Sequence, residues 1–399
     1  MNVKNTKAWK AAEYEYSEMI AQSIVPFMGS QLSPDDIIER LESIIHECPK
    51  FYPAHLGSGL RRLALGRDGV AKQRIDEGIR LMLKLAEPQH IDEELDALFS
   101  NLEKLWQFDL SRHYLEPLVE HYPHNSLLRD YLAHAAARMG DIDKALLSIS
   151  KAVELEPDNP YFISNKGWIH LIAGNLEEAR EALEKAFRLN PDDKVMKGNL
   201  EIHQYLMDYG GNYLDYLLRP ADKEEIDRLA DEEEWEEVDQ LCTLYNDCRL
   251  EAMAQTLLQE DEHKRLRLPD LLSTIRQFFR FVQDVDPSGY LLDEDLSFIH
   301  THFKTIMHKF IFKFHDIDAE MIEEIDESLL EYYGFLSKHG LVSVKEFKLF
   351  KRNILGMKNE LIYKMERYNM IRHDDELDED EKEDIREELF EGDHAWPFL

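Results

Sequence analysis

The residues with the clearest potential for chemistry lie in the segment DVDPSGYLLDED at 284–295. Oxygen-bearing side chains stand at its first, third, fifth and twelfth positions, and a glycine stands at its sixth. Hard cations such as Ca²⁺ bind several oxygen ligands that converge from one loop, and a glycine permits the sharp turn that such a loop needs. One hypothesis is therefore a divalent-cation site, with the ligands Asp284, Asp286, Ser288 and Asp295.

The same segment has a simpler interpretation. This ligand spacing is similar to that of the EF-hand, but the twelfth position holds Asp295, which is shorter than the usual bidentate glutamate. Pro287 is also unusual at the fourth position. A turn at 286–289 followed by an aspartate-capped helix would use the same residues for folding alone. Both interpretations stay open at the level of sequence.

A second group of metal-binding residue types lies on one predicted helix and comprises His300, His302, His308 and the pair His315–Asp316. On a continuous helix the first histidine would be about 20 Å from the pair, because each residue rises about 1.5 Å. These residues cannot share one metal ion unless the helix breaks. The chain contains no phosphate-binding GxxxxGK motif, nucleophile elbow or HExxH motif. We predict a protein that is not an enzyme and that uses no cofactor.

The composition narrows the classes of partner. The chain has 399 residues, 44% of them hydrophobic, and a formal net charge of -34. Such a charge repels nucleic acid and anionic membranes, and it favours basic partners or simply solubility. The three cysteines show no CxxC spacing, so neither a disulfide framework nor a zinc site is predicted. With no long apolar run and no signal peptide, these features predict a cytoplasmic protein.

A repeat of 34 residues relates the segments 126–159 and 160–193. Each repeated residue type has a physical reason. Glycine allows the chain to reverse after a first helix, alanines let two helices approach closely, and proline stops the second helix. The matching pairs are Gly140 and Gly174, Ala145 and Ala179, Ala152 and Ala186, and Pro157 and Pro191.

This period and these residues resemble the tetratricopeptide repeat family. The resemblance implies helix pairs that stack into an α-solenoid with a concave groove, which binds a protein or peptide. Weaker copies on both sides suggest about five repeats. In this family the first helix of each pair lines the groove, which selects Asp130, Tyr131, His134, Arg138, Tyr161, Ser164, Asn165, Trp168, Asn199, Ile202 and Tyr205.

Two features of this predicted groove have alternatives. Asn165 and Asn199 are 34 residues apart, and stacked amides can bind a peptide backbone, but they would equally serve as polar surface or helix caps. Tyr161 and Trp168 are candidate anchors, or they pack between repeats. The basic clamp of cochaperone members is missing, because the corresponding positions hold Asp130, Val195 and Asn199.

The predicted fold is all-α, with four parts. A tetratricopeptide-like array covers 1–215, an acidic helical extension 216–267, a helical C-terminal domain 268–372 and an acidic tail 373–399. The tail either stays solvated or folds back on a preceding basic helix. We predict a scaffold or adaptor that binds a protein or peptide partner, with no bound nucleic acid or membrane. The alternative is a sensor, or an accessory subunit of an enzyme complex, that is regulated by a divalent ion at 284–295.

Overall fold

The computed structural model describes residues 3–24, 32–85, 91–260, 262–285, 291–314 and 317–392. All regular structure within these ranges is helical, which confirms the all-α prediction. The chain forms two compact units, Met1–Met207 and Asp208–Leu399. The predicted division into four parts stays a prediction. Among the described residues, no helix has both the length and the apolar character needed to cross a membrane.

The first unit consists of paired helices. Its helices are α1 Lys7–Ile24, α2 Pro34–Glu47, α3 Tyr52–Ala64, α4 Asp68–Leu85, α5 Ile91–Lys104, α6 Phe108–His121, α7 Ser126–Arg138, α8 Ile142–Leu155, α9 Pro160–Ala173, α10 Leu176–Leu189 and α11 Lys194–Tyr209. We call the odd-numbered members the A helices. Neighbouring A helices from α3 to α9 contact one another, so they form one continuous face of this unit, the A-helix face.

The sequence period reappears in the helix boundaries. The helices α6, α8 and α10 begin and end at intervals of 34 residues, and α7, α9 and α11 begin at the same interval. A polar residue precedes each of these three A helices. The side-chain oxygens of Asn125, Asn159 and Asp193 accept a hydrogen bond from a backbone N–H of the first turn. Such N-caps satisfy donors that the helix itself cannot.

The turn between paired helices explains where the repeat fades. Gly140 and Gly174 have φ values of 78° and 75°, in the left-handed region. The equivalent position 34 residues earlier is Trp106, with φ 54°. A residue that carries a Cβ is destabilised by about 1–2 kcal/mol when it adopts the left-handed conformation. The helix pair α5–α6 therefore persists although the glycine signal is lost.

Small residues hold each helix pair close together, as the repeat predicted. Ala145 and Ala179, which belong to the equivalent helices α8 and α10, are fully buried. A Cβ added to Gly167 of α9 would lie 2.6 Å from side-chain atoms of Leu183 in α10. Larger side chains at these positions would force the helices apart.

The second unit contains longer helices. They are α12 Tyr213–Leu217, α13 Lys223–Asp231, α14 Trp235–Leu258, α15 Glu262–Val285, α16 Leu296–Lys313, α17 Ala319–Lys338, α18 Val344–Arg372 and α19 Glu379–Phe390. Aromatic rings fill its core, including Phe303 and Tyr333, which both contact Phe350. Ser343 and Glu346 form a reciprocal capping box at the start of α18.

The acidic tail folds back within the described residues. Phe390 is fully buried, with its ring 5.5 Å from that of His308 and 5.4 Å from that of Tyr368. The Glu391 carboxylate accepts hydrogen bonds from Lys304 at 2.8 Å and Lys364 at 2.9 Å. The helix α19 thus packs against α18, with an apolar side chain and an ion cluster at its C-terminal end.

Candidate partner-binding surface

A ladder of polar contacts links successive A helices on the A-helix face. The three donors are 34 residues apart, and so are the three acceptors, because each contact repeats in the next helix pair. The hydrogen bonds run from Tyr131 Oη to Asp96 Oδ1 (2.6 Å), from Asn165 Nδ2 to Asp130 Oδ1 (2.9 Å) and from Asn199 Nδ2 to Ser164 Oγ (3.3 Å).

The ladder bears directly on the predicted amide pair. Asn165 and Asn199 do occupy equivalent positions, but each amide donates to the preceding A helix. Asn199 is also buried. The amides therefore stabilise the stacking of repeats, and their contact with a peptide stays a prediction.

Asp130 has an unusual electrostatic environment. Burial raises the pKa of its carboxyl group to about 6, although the hydrogen bond from Asn165 and the nearby His134 act in the opposite direction. The charge of Glu103 also favours the protonated form. The group therefore titrates nearer to neutral pH than an ordinary aspartate does.

We expect Asp130→Asn to stabilise the protein at pH 7.5 but not at pH 4. The folded-state pKa of about 6 lies above the reference value of 3.8, so the folded protein binds the extra proton between these values. The contribution of Asp130 to stability therefore falls as the pH rises through this interval. The expected gain is about 1–2 kcal/mol at pH 7.5, allowing for solvent screening. Urea unfolding at both pH values measures it.

The matched control for this prediction is Asp158→Asn. The Asp158 side chain is 89% exposed, so its replacement should change stability little at either pH. An equal gain from Asp130→Asn at pH 4 and pH 7.5 would contradict the assignment of a raised pKa.

Three other predicted groove residues pack against one another. The Arg138 guanidinium lies 5.5 Å from the ring centre of Trp106 and 5.0 Å from that of Trp168. His134 contacts Trp168, with ring centres 5.1 Å apart, and its Nδ1 lies 2.5 Å from Glu103 Oε1. Trp168 is buried. Packing between repeats thus accounts for these residues, and a further role in binding stays a prediction.

The remaining predicted groove residues are more accessible. Tyr161 is 57% exposed, which leaves its ring available as an anchor for a partner. Ile202 and Tyr205 are half-buried on α11. Their contact with a partner also stays a prediction.

A cavity also opens on the A-helix face nearer the N-terminus. A cavity of about 710 Å³ is bounded by α1, α3 and α5, which are consecutive A helices. This volume lies within the range of typical ligand pockets. Its apolar lining includes Tyr16, Ile20, Leu60 and Leu98.

Two cations line this cavity. Arg61 and Lys104 make no ion pair with any residue in the described ranges. The carboxylate of Glu94, which also lines the cavity, accepts a 2.7 Å hydrogen bond from Tyr52. Burial raises the pKa of Tyr16, so its hydroxyl stays neutral. The cavity therefore combines an apolar lining with positive charge, in a chain whose net charge is -34.

The groove prediction missed these cavity residues because it used only the two well-matched repeats. Their signals are present in the weaker copies. The segment Pro53–Gly66 has the pattern of a first helix, and so does the segment 94–106. Extending the groove positions into these copies would have pointed to Ala97 and Lys104, which line the cavity.

The predicted cation loop is only partly described. Asp286 and Ser288 lie outside the described residues. The carboxylate of Asp284 pairs with Lys313 at 3.3 Å, and that of Asp295 accepts a 2.7 Å hydrogen bond from Ser297. Within the described ranges, no three His, Cys, Asp or Glu side chains are grouped to hold a metal ion. The cation site therefore stays a prediction.

Paired helices with a constant period define a helical-repeat protein. A family model described as "Tetratricopeptide repeat" matches residues 132–194. Residues 132–194 therefore carry the tetratricopeptide repeat that the sequence predicted. Proteins of this fold generally serve as non-enzymatic interaction scaffolds.

The similar proteins match either a short segment of this chain or about half of it at low identity. Protein O-mannosyl-transferase TMTC1 of Mus musculus is 42% identical over 59 residues, which are 15% of this chain and 6% of that protein. The MamA RS-1 ArsTM double mutant shares 16% identity, with 47% of this chain and 98% of that chain covered and a TM-score of 0.35. YrrB, described as a tetratricopeptide repeat protein with an unusual peptide-binding site, shares 20% identity, with 49% and 98% covered and a TM-score of 0.34.

Proposed function

We propose that this protein is a non-enzymatic scaffold that binds a partner protein through the A-helix face. The observation that supports the proposal most is the cavity between α1, α3 and α5. An extended peptide can insert an apolar side chain into such a cavity, because burial of apolar surface supplies most of the affinity. Arg61 and Lys104 would favour an acidic residue beside this anchor.

A second contact region extends along the same face. Tyr161 on α9 is exposed, and aromatic side chains of this kind often dominate binding energy at interfaces. The polar ladder between α5 and α11 supports this region by holding the A helices in a constant register. In this arrangement Tyr161 contacts the partner, and Asn165 and Asn199 hold the A helices in position.

Ala97→Trp tests the proposal. Ala97 is exposed and lines the cavity, so a tryptophan there would occupy the opening without displacing a buried side chain. Partners would be captured from lysate on the immobilised full chain and identified by mass spectrometry, and a peptide from the best partner would be titrated by fluorescence polarisation. We expect at least a tenfold loss of affinity, about 1.4 kcal/mol.

The matched control is Ala11→Trp. Ala11 is exposed on α1, five residues before Tyr16 and nine before Ile20, so it faces away from the cavity at about 100° per residue. This variant should bind the peptide normally. If Ala97→Trp folds and its affinity for the peptide equals that of the control, the cavity between α1, α3 and α5 is not the binding site.

The cellular location and the overall chemistry of the partner belong to the same proposal. Cys48, Cys242 and Cys248 are buried free thiols, which supports a reducing cytoplasmic environment. The net charge of -34 would attract a basic partner at long range. The cations of the cavity would act only at short range, since the screening length is about 8 Å at physiological ionic strength.

A further inference from the structure

The helix α18 buries one face and exposes the other over its whole length. Phe350, Ile354 and Leu361 are among the residues of its buried face, which packs into the second unit. The opposite face carries large apolar side chains that remain open to solvent. They are Leu349 (41% exposed), Leu355 (53%), Tyr363 (62%) and Met370 (66%).

Positive charges accompany these apolar side chains. Lys345, Lys348, Lys351, Arg352 and Arg367 are exposed, and none of them forms an ion pair with a described residue. Lysines elsewhere on α18 do find partners, since Lys358 pairs with Glu323 and Lys364 pairs with Glu391. Among the described residues, the cations of the exposed face therefore remain unneutralised, although the chain holds 81 acidic residues against 47 basic ones.

A glycine lies in the middle of this face. Gly356 follows Leu355 and is four residues after Arg352, and it is exposed. A Cβ built on Gly356 would meet no atom within 4 Å, so no contact within the described chain requires a glycine there. Glycine weakens the interior of a helix relative to alanine. Its absent side chain would, however, let the backbone of a partner approach α18 closely.

We propose that this exposed face of α18, the α18 face, binds an acidic amphipathic helix of a partner protein. Carboxylates on such a helix would neutralise the unpaired cations, and its apolar stripe would cover Leu355, Tyr363 and Met370. The apolar residues Leu349 to Met370 extend over about 32 Å along α18, which suits a rod-like partner. Binding here is independent of the cavity in the first unit.

An anionic membrane is the other surface that a basic amphipathic helix can bind. The observations favour the acidic helix for two reasons. The chain as a whole carries a charge of -34, which repels an anionic bilayer. Gly356 opens the centre of the α18 face to a close backbone, and a lipid surface has none.

A charge-reversal variant tests the proposal. The probe is a synthetic helical peptide with a leucine stripe flanked by glutamates, and its scrambled version is the specificity control. We expect the full-length protein to bind the helical peptide at least tenfold more tightly than the scramble. Lys348→Glu combined with Lys351→Glu and Arg352→Glu should lower the affinity at least tenfold, because three attractive contacts become repulsive.

The matched control triple is Lys223→Glu, Arg280→Glu and Lys338→Glu. These cations are exposed, lie on α13, α15 and α17, and form no ion pair with a described residue. This variant changes the net charge by the same amount and should keep the affinity of the unaltered protein. Equal losses in the two triples would overturn the proposal, because the effect would then be one of net charge alone.

A steric test avoids changes of charge. Gly356→Leu should keep the partner helix at a distance and lower peptide affinity several-fold. Gly198→Leu, at another helical position where an added Cβ meets no atom within 4 Å, should leave affinity unchanged. Unaltered binding by Gly356→Leu, or binding of the protein to vesicles of phosphatidylcholine with one quarter phosphatidylserine in preference to the peptide, would also overturn the proposal.

Discussion

Replacing Arg249 by alanine is expected to destabilise the second unit by about 3–5 kcal/mol. The side chain is 1% exposed, and its guanidinium donates to Glu294 at 3.0 Å and 2.5 Å. It also donates to the backbone carbonyls of Leu217 at 2.9 Å and Arg219 at 2.6 Å. The alanine variant leaves a buried carboxylate and two carbonyl oxygens without these donors, and each loss carries a desolvation penalty.

Urea unfolding measures the loss of stability, and hydrogen exchange resolved for peptides of the second unit shows where it occurs. The control is Arg228→Ala, because Arg228 is exposed and pairs only with Glu225 and Glu232 of its own helix region. We expect no measurable change from the control, since exposed pairs contribute little. A loss of stability in Arg249→Ala no greater than in Arg228→Ala would refute the prediction.

A double variant separates charge from packing. Arg249→Met together with Glu294→Leu removes both charges and roughly keeps the volume. Replacing a buried ion pair by apolar residues is often neutral for stability. We therefore expect the double variant to recover a large part of what Arg249→Ala loses.

Replacing Phe390 by alanine is expected to release α19 from the second unit. Truncation of a buried phenylalanine typically costs about 3–5 kcal/mol. Among the described residues, the main helix contact of α19 is with α18. Phe390 is the buried side chain of α19. We expect local detachment of α19, because the helices behind it keep their own core around Phe350 and Tyr333.

Hydrogen–deuterium exchange resolved by segment measures this release. Amides of residues 379–390 should lose protection in Phe390→Ala, while those of α16 and α17 should keep it. Glu388→Ala, an exposed position on the same helix, is the control and should leave protection unchanged. If the 379–390 segment stays protected in Phe390→Ala, the ion contacts of Glu391 hold α19 by themselves.

The ion contacts of Glu391 also hold α19 against the rest of the second unit. The ammonium groups of Lys304 and Lys364 lower the pKa of the Glu391 carboxyl to about 2. The carboxylate therefore stays charged through most of the acidic range, and its contacts persist there. Detachment of α19 should become easier at high salt, because the contacts of Lys304 are partly exposed and are screened.

The sequence by itself determined the local design of the central repeats. The helix boundaries of α7 to α10, the asparagine caps of α7 and α9 and the left-handed glycines follow the 34-residue period. They are predictable because a cap or a turn involves atoms only a few residues apart. The same period led to the family, which the match at 132–194 confirms.

The sequence also indicated that the acidic tail contains groups able to meet a basic helix. It could not select the contact. In the part of the chain that the structure describes, the buried Lys364 is the cation of α18 that pairs with Glu391, while Lys348 and Arg352 are exposed. The position of the tail depends on where the Phe390 side chain can be buried. That site is formed by His308 of α16 and Tyr368 of α18 together.

Tertiary structure alone decided which polar side chains are used internally and which surfaces are left open. The Asn165 amide donates a hydrogen bond to Asp130, 35 residues away in the chain. The Arg249 guanidinium donates to Glu294, 45 residues away. The cavity near Leu60 and Leu98 arises between helices that are distant in the chain. The free energy of a buried polar group or a cavity depends on every element packed around it, and no local sequence pattern contains that sum.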